Sequence, residues 1–311
     1  MGEVRVDKLI RKSKHIGHTV NPEVFQGVEV RLDKINESLN TELSYIRNEI
    51  KKLNFVLLTT QSEVMSRMFQ ILELLNITTL LELQRVGSSS DGGYYVRPPL
   101  SFDNLVSCGI GNEVSFEEDL IKNNFLKHII AVDGSIQEYP RNRNEVSFIK
   151  KYVVDDLSDS ESEVTLDELV RGLDSSKKNL LKLDIEGSEA KVINSTPLET
   201  LLVFDQILIE MHDLCRIILA KDPLEFNNLI NALRKINTKF SPIFVHANNS
   251  GQYISLTDFP FPQVIEVTYL KKSSLEEINE FSSIDKIIKL AHCNPNDLRA
   301  EDYQIIEKVI K

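Results

Sequence analysis

The sequence predicts an α/β fold: a Rossmann-like sheet of parallel strands, closed by an antiparallel hairpin and preceded by a long helix or coiled coil. Three observations carry this. From Leu80 onward, short β-rich runs alternate with amphipathic helical stretches, which implies a parallel sheet. The last two strands have only a polar loop between them, so they pair antiparallel. Residues 28–76 contain neither proline nor glycine and read as one long helix or two in series.

Taken in order, residues 1–27 form a basic tail carrying Arg5, Lys8, Arg11, Lys12 and Lys14. It is either flexible or touches an anionic membrane surface. Within 28–76, Leu39, Leu43, Ile46, Ile50, Leu53 and Leu57 alternate spacings of four and three. The register continues to Val64, Ile71 and Leu74, weakened at Thr60 and Arg67. An apolar seam of period 3.5 wants a partner helix. The expectation is a homo-oligomer joined through residues 28–76, with a hairpin folded on the chain's own domain as the alternative.

Strand candidates follow at Asn104–Cys108, His128–Val132, Phe148–Val154, Leu180–Leu183 and Phe204–Met211. Helices fall from Ser115, where Ser115 and Glu118 spell a capping box, at Thr165–Leu173, from Ser188 and at Pro223–Ile236. Phe240–His246 and Gln263–Leu270 make the closing pair. The domains expected are therefore a tail (1–27), a helical region (28–78), an α/β domain (79–271) and a helical extension (272–311), with Pro295 between two short helices.

Bulk properties exclude several classes. A net charge of −11 disfavours DNA or RNA as a partner. No apolar run approaches the ~20 residues of a membrane span. MGEVRVDKLIRKSK lacks a signal-peptide core, and Val6 stands where a myristoylation signal wants Ser or Thr. Cys108, Cys215 and Cys293 suggest neither zinc nor a disulfide framework. The expected location is cytoplasmic.

In a doubly wound sheet, ligands sit beyond the carboxyl ends of the strands. Here the first strand ends in glycines, Gly109-Ile-Gly111, and the other four parallel strands end at an acid or at an acid with a histidine. Glycines let backbone approach a ligand. Asp133 lies 22 residues beyond Gly111, where a carboxylate can accept from ribose hydroxyls. That pair suits NAD, FAD and S-adenosylmethionine (SAM) alike. The third glycine of the dinucleotide fingerprint is replaced by Val114. Pyrophosphate needs that glycine and SAM does not. The antiparallel ending also argues against an oxidoreductase.

Lys182-Leu-Asp184-Ile-Glu186-Gly187-Ser-Glu189 places two carboxylates where a strand turns into a helix. KLDIEGSE resembles the K-[LIV]-D-[VI]-E-G-x-E signature of FkbM-type methyltransferases. Val86-Gly-Ser-Ser-Ser-Asp91-Gly92-Gly93-Tyr94 resembles the DGG-aromatic element preceding the first strand in a related methyltransferase group. GIGNEVSFEEDL and Leu166-Asp-Glu-Leu169 are similar to further elements of that plan. The likeness covers about residues 80–270. It departs where FkbM-type first motifs carry an acid, here Ser107, and where the second strand ends Glu-Pro, here Asp133-Gly134.

The resemblance implies a class I SAM-dependent methyltransferase that methylates a hydroxyl of a small molecule, such as a sugar or glycan precursor. Gly109, Gly111 and Asp133 would hold SAM, Asp155 would lie near the adenine, and Asp91 and Gly92 would close over the methionine end. Asp184 and Glu186 would face the acceptor, with His212 or His246 as base. Glu210-Met-His212 ends the fifth strand. With Asp184 it leaves open a divalent-metal site, less favoured than metal-free chemistry because no third carboxylate obviously joins the pair. His246-Ala-Asn248-Asn249 offers uncharged contacts for a sugar-like acceptor. The rival reading is a coiled-coil assembly protein with a non-catalytic methyltransferase-like domain.

Overall fold

The computed structural model describes residues 61–77, 81–89, 92–158, 161–248, 253–255 and 260–276. The chain divides into two units, residues 1–62 and 63–311, and the α/β fold belongs to the second. The expected seam over residues 28–60, Asp91, Asn249 and the extension beyond 276 lie outside the described residues.

Helix α1 runs through residues 61–74. A hairpin follows, β1 (Gln84–Gly87) with β2 (Gly93–Val96), and then β3 (Phe102–Cys108), α2 (Ser115–Lys122), β4 (Leu126–Val132) and β5 (Val146–Ile149). The crossover back contains β6 (Tyr152–Val154), β7 (Glu163–Thr165) and α3 (Leu166–Val170). Next come β8 (Asn179–Leu183), α4 (Glu189–Ser195), α5 (Leu198–Leu201), β9 (Gln206–Met211), α6 (Leu214–Leu219) and α7 (Leu224–Asn237). The chain closes with β10 (Phe240–Ala247), the short pair β11 (Tyr253–Ser255) and β12 (Pro260–Pro262), then β13 (Ile265–Lys271) and α8 (Lys272–Glu276).

Seven strands form the central sheet in the order β10-β13-β9-β8-β3-β4-β5. β5, β4, β3, β8 and β9 are parallel, and β13 runs antiparallel to both its neighbours. The closing hairpin is as expected, but β13 inserts between β9 and β10, so β10 alone forms that edge. Every residue of β8 and β9 is buried, as befits central strands covered on both faces.

On one face, Leu181, Leu183, Ile207 and Ile209 pack with α7 residues Leu229 and Leu233 and with Val64, Met68 and Ile71 of α1. On the other, Leu105, Ile129, Leu180 and Leu208 pack with Val86, Tyr94 and Val96 of the hairpin and Phe116 and Leu120 of α2. The seam positions Val64 and Ile71 are thus buried in this chain's own core. Arg67, which breaks the seam in sequence, is also buried. Its Nη1 donates to the carbonyls of Ile218 (3.1 Å) and Ala220 (2.6 Å), satisfying acceptors left open at the end of α6.

Three local expectations are corrected. Ser115 and Glu118 make no capping box: Val114 is the N-cap, Ser115 Oγ donates to Gly92 O, and Glu118 pairs with Arg143. The capping box forms at Thr165 and Glu168 instead. The strand expected at Phe148–Val154 is two strands, and β6 leaves the main sheet to pair with β7. Asp155 therefore ends a side strand rather than a central one and is exposed.

Candidate functional site

From β3 the chain steps outward through β4 to β5, then returns to β8 on the other side of β3. The loops after β3 and β8 consequently part at the topological switch point. Gly109 (φ +75°) sits where a Cβ would lie 1.5 Å from the backbone oxygen of Asp184, so only glycine permits the two loops to touch. At Gly111 (φ +50°), by contrast, a Cβ would meet nothing within 4 Å. One glycine closes the sheet and the other opens onto space.

Asp133 clasps this loop. Its Oδ2 accepts from the amides of Ile110 (3.0 Å) and Gly111 (2.8 Å), and its Oδ1 from Ser135 N (2.7 Å) and Oγ (2.6 Å). Burial works against the charge, but the Ser135 and backbone hydrogen bonds outweigh it and hold the carboxyl below its ordinary value. All four lone-pair directions are used within the chain. A ribose hydroxyl would therefore have to take the place of the Ser135 hydroxyl. Beside it, the half-exposed Tyr152 ring lies where a Cβ on Gly134 would be 2.5 Å from Cδ2.

The turn after β8 is built by Glu189, whose carboxylate accepts from the amides of Ile185 (3.0 Å) and Gly187 (3.1 Å). That turn holds Glu186 at φ +55°, and Asp213, next to His212, sits at φ +61°. Non-glycine residues reach this region only when their surroundings hold them there, and such strain gathers at functional sites.

Over the turn, Asp184, Glu186, Glu210 and His212 converge, ringed by further polar side chains. His212 Nδ1 lies 3.0 Å from Glu189 Oε1. Its Nε2 faces Glu186 Oε2 at 3.6 Å, Asp184 Oδ1 at 3.8 Å and Glu210 Oε1 at 3.9 Å. Tyr94 Oη, on the hairpin, stands 2.9 Å from Asp184 Oδ2 and 3.0 Å from Glu210 Oε2. Asn248 Nδ2 donates to Glu210 Oε1 at 2.8 Å. Lys182 Nζ donates to Gly109 O at 2.8 Å and lies 3.3 Å from Asp184 Oδ2.

Burial, then the charges of Asp184 and Glu266, push Glu210 up to about 7. Burial alone would lower His212, but its bond to Glu189 and the charges of Glu189, Glu210 and Asp184 carry it up to about 9. Burial and the flanking carboxylates hold the Tyr94 phenol well above its ordinary value. The site thus concentrates negative charge around two cations, Lys182 and His212.

Asp184, Glu186, Glu210 and His212 come together. His246 stands farther out on β10, its Nδ1 3.6 Å from Glu266 Oε2, with Glu266 set between it and Glu210 across the strands. Gly92 turns the hairpin above α2, its carbonyl accepting from Ser115 Oγ at 3.1 Å. Sequence reasoning gave Tyr94, Glu189 and Tyr152 no role. The first two sit inside recognised motifs, as the aromatic after DGG and as the last acid of KLDIEGSE, whereas nothing in sequence marks Tyr152.

A SAM-type cofactor fits these residues. Gly111 leaves open room at the backbone, the clasped loop sets its edge, and the carboxylate-rich crevice suits a sulfonium cation. The cations described there are already engaged, Lys182 with Gly109 and Asp184 and His212 with Glu189, so a pyrophosphate would meet acids instead.

The family comparison agrees. Residues 88–240 match the model of the methyltransferase FkbM domain. That span holds the loop from residue 88, both glycines, Asp133, Asp184, Glu210 and His212, and stops at the start of β10. No curated protein matches the chain. Among solved structures, the Thermoplasma acidophilum 1320 protein shares 12% identity over 56% of this chain and 82% of its own, with a TM-score of 0.30. Sp1610 of Streptococcus pneumoniae, solved in complex with S-adenosyl-L-methionine, shares 10% over 68% and 95%, with a TM-score of 0.32. Spermidine synthase of Thermotoga maritima shares 11% over 66% and 69%, with a TM-score of 0.31. Residues 88–240 of the chain thus carry a methyltransferase FkbM domain, a domain of the SAM-dependent methyltransferase kind.

Proposed function

We propose that the domain, residues 79–271, transfers the methyl group of SAM to a hydroxyl of a small polar acceptor of the sugar class. The observation that carries this is the convergence of Asp184, Glu210, His212 and Asn248 at the carboxyl ends of β8, β9 and β10, where Gly109 brings the glycine loop against Asp184. Carboxylates, an imidazole and an amide in one crevice match the alternating donors and acceptors of a polyol.

When bound, SAM supplies an electrophilic methyl on a sulfonium, which the acceptor oxygen displaces in line to give the methyl ether and S-adenosylhomocysteine. The chain does the rest. Gly109, Gly111 and the Asp133 clasp shape the cofactor's bed, with Tyr152 offering a ring for the adenine plane and Gly92 serving the methionine end. Asp184 and Glu186 orient the acceptor hydroxyl, and a carboxylate of the cluster receives its proton as the oxygen's electron pair moves to carbon. Asn248 and the His246–Glu266 pair extend the surface along which the rest of the acceptor lies. Residues 28–60 join subunits, since α1 beyond them is committed to the chain's own core.

The test is transfer from methyl-labelled SAM to a panel of sugars and polyols, with base treatment of the product. A base-stable methylated product is expected, because ethers survive where methyl esters hydrolyse. Asp184→Asn should lower turnover on the order of 10²–10⁴-fold with SAM affinity retained. Methyl transfer to amines or carboxylates alone would refute the acceptor assignment.

A further inference from the structure

We propose that Asp184, Glu210 and His212 form a binding site for one divalent cation of the oxygen-preferring class, Mg²⁺ or Mn²⁺, beside the acceptor hydroxyl. This rests on the methyl-transfer reading for its purpose but not for its geometry.

Three facing atoms define the site. Asp184 Oδ1, Glu210 Oε1 and His212 Nε2 belong to side chains whose ligand atoms all lie within 4.8 Å of one another. The Nε2 separations, 3.8 Å to Asp184 and 3.9 Å to Glu210, are too long for hydrogen bonds. They fall inside the range an ion imposes. With bonds of about 2.1 Å, octahedral neighbours stand about 3.0 Å apart and opposite ligands about 4.2 Å.

The remaining polar atoms of these residues are held from outside the gap. Asp184 Oδ2 is taken by Tyr94 and Lys182, and Glu210 Oε2 by Tyr94; Glu210 Oε1 accepts from Asn248 Nδ2 with one lone pair and has its second for the ion. Glu189 holds His212 Nδ1. An imidazole oriented by a carboxylate on one nitrogen presents the lone pair of the other once the incoming ion displaces the Nε2 proton, the usual arrangement behind a metal-bound histidine. The three ligands come from the ends of two adjacent strands, β8 and β9, whose register is fixed by the sheet. Glu186 Oε2, 3.6 Å from Nε2 on an exposed side chain, supplies a third carboxylate able to swing in. Such a site leaves positions for the acceptor oxygen, whose hydroxyl would become more acidic there. Two carboxylates with one imidazole suit Mn²⁺ and Mg²⁺.

Mn²⁺ alone is the probe, added to the full chain after chelation and dialysis. Loss of the free Mn²⁺ resonance signal reports binding without any reference to turnover. One ion per chain is expected, displaced by excess Mg²⁺. His212→Ala and Asp184→Asn should each weaken binding at least tenfold, and Glu189→Gln by roughly 10–100-fold. Glu199→Gln, an exposed acid on α5, should leave it unchanged. Far-ultraviolet circular dichroism confirms that each variant is folded. Wild-type chain that leaves Mn²⁺ free at millimolar concentration overturns the site, as does equal binding by folded His212→Ala and Asp184→Asn. SAM calorimetry on the stripped chain separates the two readings. SAM binding without Mn²⁺ binding removes the cation site alone. Mn²⁺ binding without SAM binding removes the methyl-transfer reading and leaves the site standing.

Discussion

Replacing Asp133 by alanine tests the glycine loop most directly. The carboxylate accepts four hydrogen bonds, from the amides of Ile110 and Gly111 and from the amide and hydroxyl of Ser135. Ser135 is partly exposed and can turn to water. The Ile110 amide is buried and the Gly111 amide partly buried. An orphaned amide costs about 1–3 kcal/mol, so two cost on the order of 4 kcal/mol together. For a domain of this size, 1 kcal/mol is worth roughly 2–4 °C, which predicts a fall in Tm of about 8–16 °C. Thermal unfolding of the full chain followed by circular dichroism measures this, and calorimetry measures SAM affinity in parallel. Ser135→Ala, which removes one donor and orphans no amide, should cost under about 1.5 kcal/mol. The sign with pH comes from the lowered carboxyl. The clasp's contribution is complete above the ordinary aspartate value of about 3.9 and fades as pH falls through the lower folded value. The acid limb of the Tm profile should therefore lose its Asp133 component in the alanine variant. An Asp133→Ala protein that melts with the wild type at neutral pH would refute the clasp.

Other outcomes are expected from the same structure. Gly109→Ala should abolish soluble folding, because its Cβ would occupy the Asp184 carbonyl. Gly111→Ala should cost only about 1–2 kcal/mol of left-handed strain yet weaken SAM binding by intruding on the open side. Equal stability losses in the two would refute the division of labour between the glycines. Arg67→Ala should destabilise the chain by about 3 kcal/mol in urea, since it strips donors from two carbonyls at the end of α6. Glu63→Gln, which touches only the exposed side of that pair, should change it by less than about 1 kcal/mol. Ile71→Ala should cost about 2–5 kcal/mol with no change in assembly mass by light scattering, whereas deleting residues 28–60 should lower that mass. A drop in mass for Ile71→Ala would return that position to the seam between subunits.

Much of this protein is local and was therefore readable from its residues. Period-two and period-3.6 patterns depend on near neighbours, so the alternation of strands and helices and the antiparallel ending appear in the sequence. KLDIEGSE is contiguous, and its acids fall where a strand must end and a helix begin. Capping was less legible: Ser115-Phe-Glu-Glu118 and Thr165-Leu-Asp-Glu168 carry the same spacing, and only the second caps. Ser115 is drawn to the hairpin carbonyl of Gly92, a partner 23 residues away in sequence. Tertiary structure also decided that Phe148–Val154 would split, because Tyr152 pairs with Glu163 in a side sheet rather than extending β5. It decided that Val64 and Ile71 would serve the chain's own core, since an apolar stripe specifies that it must be covered and not by what. The site itself is the clearest case. Tyr94 meets Asp184 and Glu210 from 90 and 116 residues away. No local pattern encodes which strand ends become neighbours; that depends on sheet order, which is fixed by long-range pairing and by the packing of both faces.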